Sequence, residues 1–273
     1  MFSNILLIPF VGGTFLFLFL AWKVDEAYSV WMLPCLLISA LVYIMKPEID
    51  WWWHSRRPPK LPEGMVRLLE RFCDFYRRLD SAGRQKFRDR IALFHMGTDW
   101  MPMGWPEDEL PGDVQLAISV NAVMLTWNKP TFLFDKFEKV IVYPLPFPTL
   151  DYQFAHASEL HEEDGCLLFS AKQLMEAFVR PPQLYNVGLH EYAKVFRLTY
   201  PGEPWPAFDA DEQVWTRLER VGNMPRSHVE AVIGIAGVAP LPVAIHHYFV
   251  FRERFMAEFE QEAAVFKTIF GEP

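Results

Sequence analysis

The 273-residue sequence has little cysteine and no excess of positive charge. Its three cysteines are an odd number at wide spacing, which excludes a disulfide framework and a CxxC metal site and favours a reducing compartment. There are 26 Lys and Arg residues against 34 Asp and Glu, a formal charge of −8, so the chain would repel a polyanion and direct nucleic-acid binding is not expected. Apolar residues make up 51% of the chain, which excludes a disordered or collagen-like protein.

Charged residues are missing from two stretches near the N-terminus, residues 5–22 and 28–45. A helix of this length can just cross a hydrocarbon core of roughly 30 Å. Only Lys23–Ala27 separates the stretches, so residues 1–50 are predicted to form a transmembrane helical hairpin. A cleaved signal peptide is the alternative for the first stretch, although Met1–Asn4 contains no Lys or Arg. Buried core helices of a soluble protein are the alternative for both.

The distribution of Lys and Arg predicts the orientation of this hairpin. The turn offers Lys23 beside two acidic residues, whereas the exit side offers Lys46, Arg56, Arg57 and Lys60. The positive-inside rule therefore places both termini and the main domain in the cytoplasm, on the inner membrane, with two spans. Residues 51–64 contain three tryptophans and a Pro-rich stretch and are predicted to be an interfacial linker. Residues 65–273 form the predicted cytoplasmic domain.

Hydrophobic periodicity in this domain predicts a mostly helical α+β fold with a small sheet. The two short runs 139–143 (KVIVY), closed by prolines, and 166–170 (CLLFS), opened by a glycine, are predicted strands. Predicted helices are 65–79, 81–95, 113–127, 182–198, 209–221, 241–255 and 258–270, and residues 100–111 are a predicted loop. The first helix has an apolar stripe with arginines outside it. It is either a core helix with a solvated face or a basic helix resting on anionic headgroups.

One short motif could carry chemistry. Asn186 to Lys194 reads NVGLHEYAK, with His190 followed by Glu191. Two histidines at positions i and i+4 of a helix can hold one zinc ion while the intervening Glu polarises the bound water. Here the i+4 residue is Lys194, whose protonated amine has no lone pair and would repel a cation. The residues alone therefore predict a broken site.

This motif resembles that of the MtfA-like (Mlc titration factor A) proteins, zinc peptidases of the gluzincin type whose helix reads N-x-x-x-H-E-F-A-H. The likeness extends over roughly residues 84–259. Leu116–Leu125 is similar to the family's alanine-rich apolar helix, Val142-Tyr143-Pro144 with Phe147 to its V-Y-P-x-x-F strand exit, and Gly165–Ser170 to its G-x-V-x-L-S strand. The resemblance implies a zincin-like metallopeptidase fold.

The resemblance also implies roles for individual residues. His190 and Glu253 match zinc ligands, with Glu253 placed by the family pattern F-F-A-V-x-S-E-x-F-F, and Glu191 matches the general base. Lys194 replaces the second His ligand. His246 falls where the family tends to have an oxyanion-stabilising tyrosine, and it could instead supply the missing ligand. His156 and His161 are weaker candidates for that ligand.

We therefore expect a membrane-anchored protein with a degenerate zinc-peptidase site and no metal, in which the Lys194 ammonium pairs with Glu191 or Glu253. Relatives that resemble it bind the glucose repressor Mlc, which implies a protein partner such as a transcriptional regulator. One alternative is an active zinc-dependent peptidase with a remodelled site. Another is a structural subunit of a membrane complex, with Gly12-Gly13 and Ser39-Ala40 as helix contact surfaces.

Overall fold

The computed structural model describes residues 2–107 and 109–271. The chain divides into two compact units, Met1–Pro59 and Lys60–Pro273. The two units differ in their secondary structure. The first consists of helices only, whereas the second combines helices with one sheet.

The first unit is a helical hairpin followed by a short third helix. Its elements are α1 (Phe2–Lys23), a 3₁₀ turn (Glu26–Trp31), α2 (Met32–Ile44) and α3 (Lys46–Arg56). Gly13 of α1 lies against Cys35 of α2, since a Cβ atom at Gly13 would be 3.1 Å from the Cys35 Sγ. Phe17 stacks near Trp31 at the turn. The two apolar helices are therefore antiparallel neighbours.

The open end of the hairpin is closed by a buried polar contact. Ser3 at the start of α1 donates from its backbone N–H and its hydroxyl to the two carboxylate oxygens of Asp50 on α3, at 2.8 and 2.7 Å. Phe2 stacks on Trp53 with the ring centres 4.0 Å apart. Residues 51–56, which the sequence predicts to be linker, thus continue a helix that is tied to the hairpin.

The second unit contains a four-stranded mixed sheet. Its strands are β1 (Asp99–Pro102), β2 (Lys139–Tyr143), β3 (Ser158–His161) and β4 (Cys166–Ser170), in the order β1-β2-β4-β3. The pairs β1–β2 and β2–β4 are parallel, while β3 runs antiparallel to β4. Strand β3 is therefore an edge strand, and with its neighbour β4 it contacts the helix of the NVGLHEYAK motif.

Eleven helices in the described residues surround this sheet and make up most of the unit. They are α4 (Glu63–Phe72), α5 (Asp74–Arg78), α6 (Ser81–Gly97), α7 (Gly112–Leu125), α8 (Ala171–Val179), α9 (Val187–Thr199), α10 (Glu212–Gly222), α11 (Arg226–Ile233), α12 (Pro240–Val250), α13 (Arg252–Glu258) and α14 (Glu260–Phe270). Helix α13 is a short continuation of α12 after a break. Helix α7 is buried on nearly every side, as its uniformly apolar sequence predicts, and packs against α6, α8 and α9.

The predicted fold class is confirmed, and several predicted boundaries are wrong. Strands 139–143 and 166–170 form as predicted, but β1 lies in the predicted loop and the predicted helix 65–79 is interrupted at Cys73. Cys73 has extended backbone angles, φ −105° and ψ 98°. The predicted helix 241–255 is likewise interrupted, at Phe251. This second interruption changes which residues can reach the motif.

Candidate active site

The motif helix α9 begins with a polar cap. The Asn186 side-chain oxygen accepts a hydrogen bond from the Leu189 N–H at 3.0 Å, and its amide donates to the Asn121 oxygen on α7 at 2.9 Å. The first contact satisfies a helix N-terminal N–H, and the second fixes α9 against the buried helix α7. The cap therefore sets the direction in which His190 and Glu191 project.

Gly188 allows the close approach of α7 and α9. A Cβ atom there would lie 2.5 Å from the Asn121 side-chain nitrogen and 3.1 Å from the Leu174 side chain. Real Cβ atoms do not come as close as 2.5 Å to another heavy atom, so a larger residue at position 188 would displace Asn121 or push the helices apart. The glycine in NVGLHEYAK is thus explained by packing.

His190 is buried, with 4% of its surface exposed. Its Nδ1 lies 2.6 Å from the hydroxyl oxygen of Tyr185. Burial lowers the pKa of His190 to about 4, with a further lowering by Lys194 and an opposing effect of Glu191. Burial and Glu191 raise the pKa of Tyr185 well above its usual value, so the phenol keeps its proton. His190 is therefore a neutral imidazole at pH 7, paired with a neutral phenol.

Glu191 is also buried, with 1% of its surface exposed, and both of its oxygens are occupied. One accepts a hydrogen bond from the Ser158 hydroxyl on β3 at 2.9 Å, and the other accepts from the Lys194 ammonium at 2.7 Å. Burial alone would raise the pKa of this carboxyl, but the attraction of Lys194 and the two hydrogen bonds lower it overall. Glu191 is accordingly a stable carboxylate held by a cation and a hydroxyl.

Lys194 stands at the i+4 position from His190 and reaches Glu191 one turn back. Its side chain is 35% exposed, so the ammonium keeps part of its hydration while it neutralises the buried carboxylate. Of the two partners that the sequence offers to Lys194, the structure places Glu191 in contact. The Lys194 ammonium therefore places a positive charge beside Glu191.

His246 on α12 is fully buried, and protein atoms occupy both of its ring nitrogens. Its Nε2 accepts from the Asn186 backbone N–H at 3.0 Å, which leaves the proton on Nδ1, 3.1 Å from Nδ1 of His247. The ring also stacks on Tyr185 with centres 4.2 Å apart. Burial, followed by the neighbouring His247 and His190, lowers the pKa of His246 well below its usual value. This arrangement leaves neither nitrogen of His246 for a metal ion or an oxyanion.

Glu253 is not placed beside His190 in this structure. Helix α12 ends at Val250, and Glu253 is exposed on α13, whereas His190 is buried. On α12, His246 accepts a hydrogen bond from the Asn186 N–H at the start of the motif, while His247 lies against Gly222 of α10. The family pattern placed Glu253 as a ligand, and that role stays a prediction.

The two weaker candidates have other partners. His156 is buried, with Nε2 3.1 Å from a Glu159 oxygen and Nδ1 3.0 Å from the Phe154 carbonyl. His161 lies 3.3 Å from Asp164 and 3.7 Å from Asp151 near the surface. Neither histidine contacts the His190–Glu191 pair through these bonds.

The donor set does not fit a zinc ion. Within residues 2–107 and 109–271, no group of three or more His, Cys, Asp and Glu side chains could hold a metal. Of the residues predicted to replace or complete the ligands, Lys194 is a cation, His246 is fully bonded and Glu253 is exposed. A metal held by His190 alone would bind weakly.

Sequence reasoning missed two residues that complete the site, Ser158 and Tyr185. Ser158 lies 33 residues before Glu191 and belongs to a strand whose sequence, SELH, has no clear apolar alternation. Tyr185 lies five residues before His190, outside the helix, so helical periodicity could not place it. A buried aromatic just before an N-cap is the only signal that pointed to it.

The edge strand beside the site is covered at its beginning. The Ala157 N–H donates to the Ile233 carbonyl at the end of α11, at 2.6 Å. Gly234 follows with φ +89°, and a Cβ atom there would lie 2.7 Å from the His156 Cα. Glycine is needed here for both the positive φ and the close approach. The end of α11 therefore pairs with the Ala157 N–H, which would otherwise be free to bond to another strand.

A mixed sheet with an antiparallel edge strand, packed against a helix that carries His-Glu, defines a protein with a zincin-like fold. The sequence profile of the glucose-regulated metallo-peptidase M90 family matches residues 49–196, more than half of the chain. The chain belongs to this family, which confirms the predicted MtfA-like relationship. The match includes the motif helix as far as Phe196. No curated protein matches the chain.

Proposed function

We propose that this protein is a membrane-anchored, non-catalytic member of its family that acts by binding a protein partner. The observation that carries the proposal is the 2.7 Å contact between Lys194 and Glu191. A general base must present a free carboxylate to a metal-bound water. Here a tethered ammonium and the Ser158 hydroxyl take both carboxylate oxygens, so Glu191 serves the fold instead of a reaction.

The ion pair also opposes metal binding directly. A zinc ion beside His190 would be repelled by the Lys194 ammonium. Loss of the contact between Lys194 and Glu191 costs about 2–3 kcal/mol, because the Lys194 side chain is 35% exposed. With one histidine ligand available, zinc has little binding free energy to offset this cost. The site around His190 is therefore expected to bind no metal.

Metal analysis tests this proposal. The full-length protein, purified in detergent and incubated with zinc, is expected to retain no more zinc after gel filtration than a His190→Ala variant does. One zinc per chain in the wild type, lost in His190→Ala, would overturn the proposal. So would hydrolysis of peptide reporters that disappears in Glu191→Gln.

The anchoring part of the proposal rests on the first unit. Its helices Phe2–Lys23 and Glu26–Ile44 are long and apolar enough to cross a membrane, and 0% and 6% of their apolar windows are buried within the protein. Core helices of a soluble protein would be covered by other parts of the chain. Lipid is the solvent that suits so many exposed Leu, Phe and Ile side chains.

Topology can be measured with single cysteines introduced into a background in which Cys35, Cys73 and Cys166 are replaced by Ser. A cysteine at Val24, in the turn, is expected to react with a membrane-impermeant maleimide from the outer side of the membrane. A cysteine at Glu63 is expected to react only from the cytoplasmic side. Labelling of both positions from one side, or extraction of the protein by alkaline carbonate, would contradict a two-span anchor.

We infer that the partner is a protein, of the transcriptional-regulator class that the family resemblance implies. Because His190 and Glu191 are buried, the partner is expected to bind to the outer surface of the second unit. Site-specific photo-crosslinkers on that surface, compared in wild type and in Glu191→Gln, test this inference. Crosslinks to one protein that persist in the variant are expected, whereas crosslinking that requires an intact Glu191 carboxylate would point back to the site.

A further inference from the structure

We propose that α4, α5 and the start of α6 form a surface that binds anionic lipid headgroups. This surface, called the arginine face here, consists of Arg67, Arg71, Arg77, Arg78 and Arg84. The proposal rests on the anchoring of the first unit in a membrane, proposed above. It adds a specific lipid chemistry and a second point of contact.

The charge of the second unit is divided unevenly along the chain. Residues 60–90 contain nine Lys and Arg against five Asp and Glu, whereas residues 91–273 contain 13 against 25. The first segment is therefore +4 and the remainder is −12. An anionic bilayer attracts the first and repels the second, so the electrostatic energy is lowest when the arginine face is turned to the headgroups.

Hydrogen bonds connect three of the five arginines to one another. The Arg77 guanidinium folds back over the end of α4 and donates to the Arg71 carbonyl at 2.8 Å. The Arg84 guanidinium in turn donates to the Arg77 carbonyl at 2.7 Å. Arg67 and Arg71 are one helical turn apart on α4 and share its outer side. Five cations thus follow one another from α4 to α6.

Several of these charges are not used within the fold. The closest acidic group to Arg67 is Glu63 at 3.9 Å, and the two side chains are 74% and 96% exposed, so this pair contributes little. Arg71 is exposed and lies 5.0 Å from the Phe72 ring. Arg78 is exposed, and it makes no side-chain hydrogen bond or ion pair with the described parts of the chain. Arg77, which also pairs with Asp74, is a structural member of the face.

The opposite side of α4 is already occupied. Leu69 is fully buried, and Met65, Leu68 and Phe72 pack against the core of the unit. The helix therefore cannot turn its apolar stripe into a bilayer, and its interaction with lipid would be electrostatic. Such an interaction is screened by salt, with a Debye length of about 8 Å at physiological ionic strength.

The arginine face begins a few residues after the anchor in the sequence. Only six residues, Arg57–Pro62, separate the end of α3 from the start of α4. Six extended residues reach at most about 20 Å. A basic segment this close to the exit of a transmembrane hairpin is the arrangement in which headgroup binding adds most to anchoring.

Hydrogen exchange of the full-length protein in nanodiscs tests the proposal. One set contains phosphatidylcholine alone, and the other contains phosphatidylcholine with about one-third phosphatidylglycerol, a fraction that gives a clearly negative surface. Peptides covering residues 61–90 are expected to exchange several-fold more slowly in the anionic discs. High salt should remove the difference.

A charge-matched pair of variants identifies the residues. The triple variant Arg67→Gln, Arg71→Gln and Arg78→Gln is expected to lose the lipid-dependent protection. The control removes three exposed lysines elsewhere in the unit, Lys136→Gln, Lys139→Gln and Lys172→Gln, and should keep it. Equal exchange in the two lipids, or equal loss in both variants, would overturn the proposal. Failure of the wild type to enter either nanodisc would instead refute the membrane anchor itself.

Discussion

The Lys194→Met variant tests the central feature of the site, the pairing of Lys194 with Glu191. Methionine keeps most of the side-chain length and removes the charge. Glu191, 1% exposed, would then be a buried carboxylate with only the Ser158 hydroxyl as a partner. Breaking a fully buried pair costs about 3–5 kcal/mol. Because the Lys194 side chain is 35% exposed, water can replace part of the lost interaction, and we expect a loss of about 2–3 kcal/mol.

Thermal unfolding of the detergent-solubilised protein gives the measurement. For a unit of this size each kcal/mol corresponds to roughly 2–4 °C, so Lys194→Met should lower the midpoint by about 5–10 °C. Lys172→Met, at an exposed position on α8, is the matched control and should change it by less than about 2 °C. The comparison separates loss of the pair from a general effect of removing a lysine.

A double-mutant cycle decides whether the two residues act together. Glu191→Gln removes the negative charge, so in the Lys194→Met background it should restore part of the stability instead of lowering it further. The expected coupling is about 1–3 kcal/mol. Additive effects of the two substitutions would refute the idea that Lys194 provides the charge that stabilises Glu191.

Other predictions concern the surroundings of this pair. Gly188→Ala should cost about 1–3 kcal/mol because its Cβ would lie 2.5 Å from a buried amide, whereas Gly64→Ala, with no atom within 4 Å, should not destabilise; chemical denaturation compares them. His190 and His247 have folded pKa values of about 4 and about 3 against 6.5 for the free side chain. The unfolded chain therefore binds more protons below pH 6.5, so stability is present above that pH and is lost as the pH falls towards 4; a His190→Gln variant should show a shallower decrease. Tyr185→Phe should cost about 1 kcal/mol by removing the 2.6 Å contact with His190, and NMR of the imidazole should report the change.

Local sequence patterns predicted part of this fold well. The strand KVIVY is a β-branched run closed by proline, and α7 is apolar for longer than a strand can be, so both were identified from residue type and length. Strand β3 could not be predicted in the same way. Its residues, SELH, are held by pairing with β4 and by contact with α9, which are long-range interactions.

The site shows the same limit at the level of single residues. His190, Glu191 and Lys194 were found because helical spacing alone relates them. The predicted helix 241–255 ran through Phe251 because no proline or glycine marks the break there. The role of Glu253 as a ligand stays a prediction. On α12, the residue that contacts the start of the motif is His246, while His247 lies against Gly222 of α10. Local periodicity does not predict where such a helix ends.

The contact between Ala157 and Ile233 has a practical consequence for ligand design. Compounds that inhibit zinc peptidases commonly combine an ion-chelating group with a peptide that extends an exposed strand. Here the first group would find a single neutral imidazole, and the second would have to displace the end of α11 from its place. Chemical probes for this protein should therefore be sought among molecules that recognise its exterior.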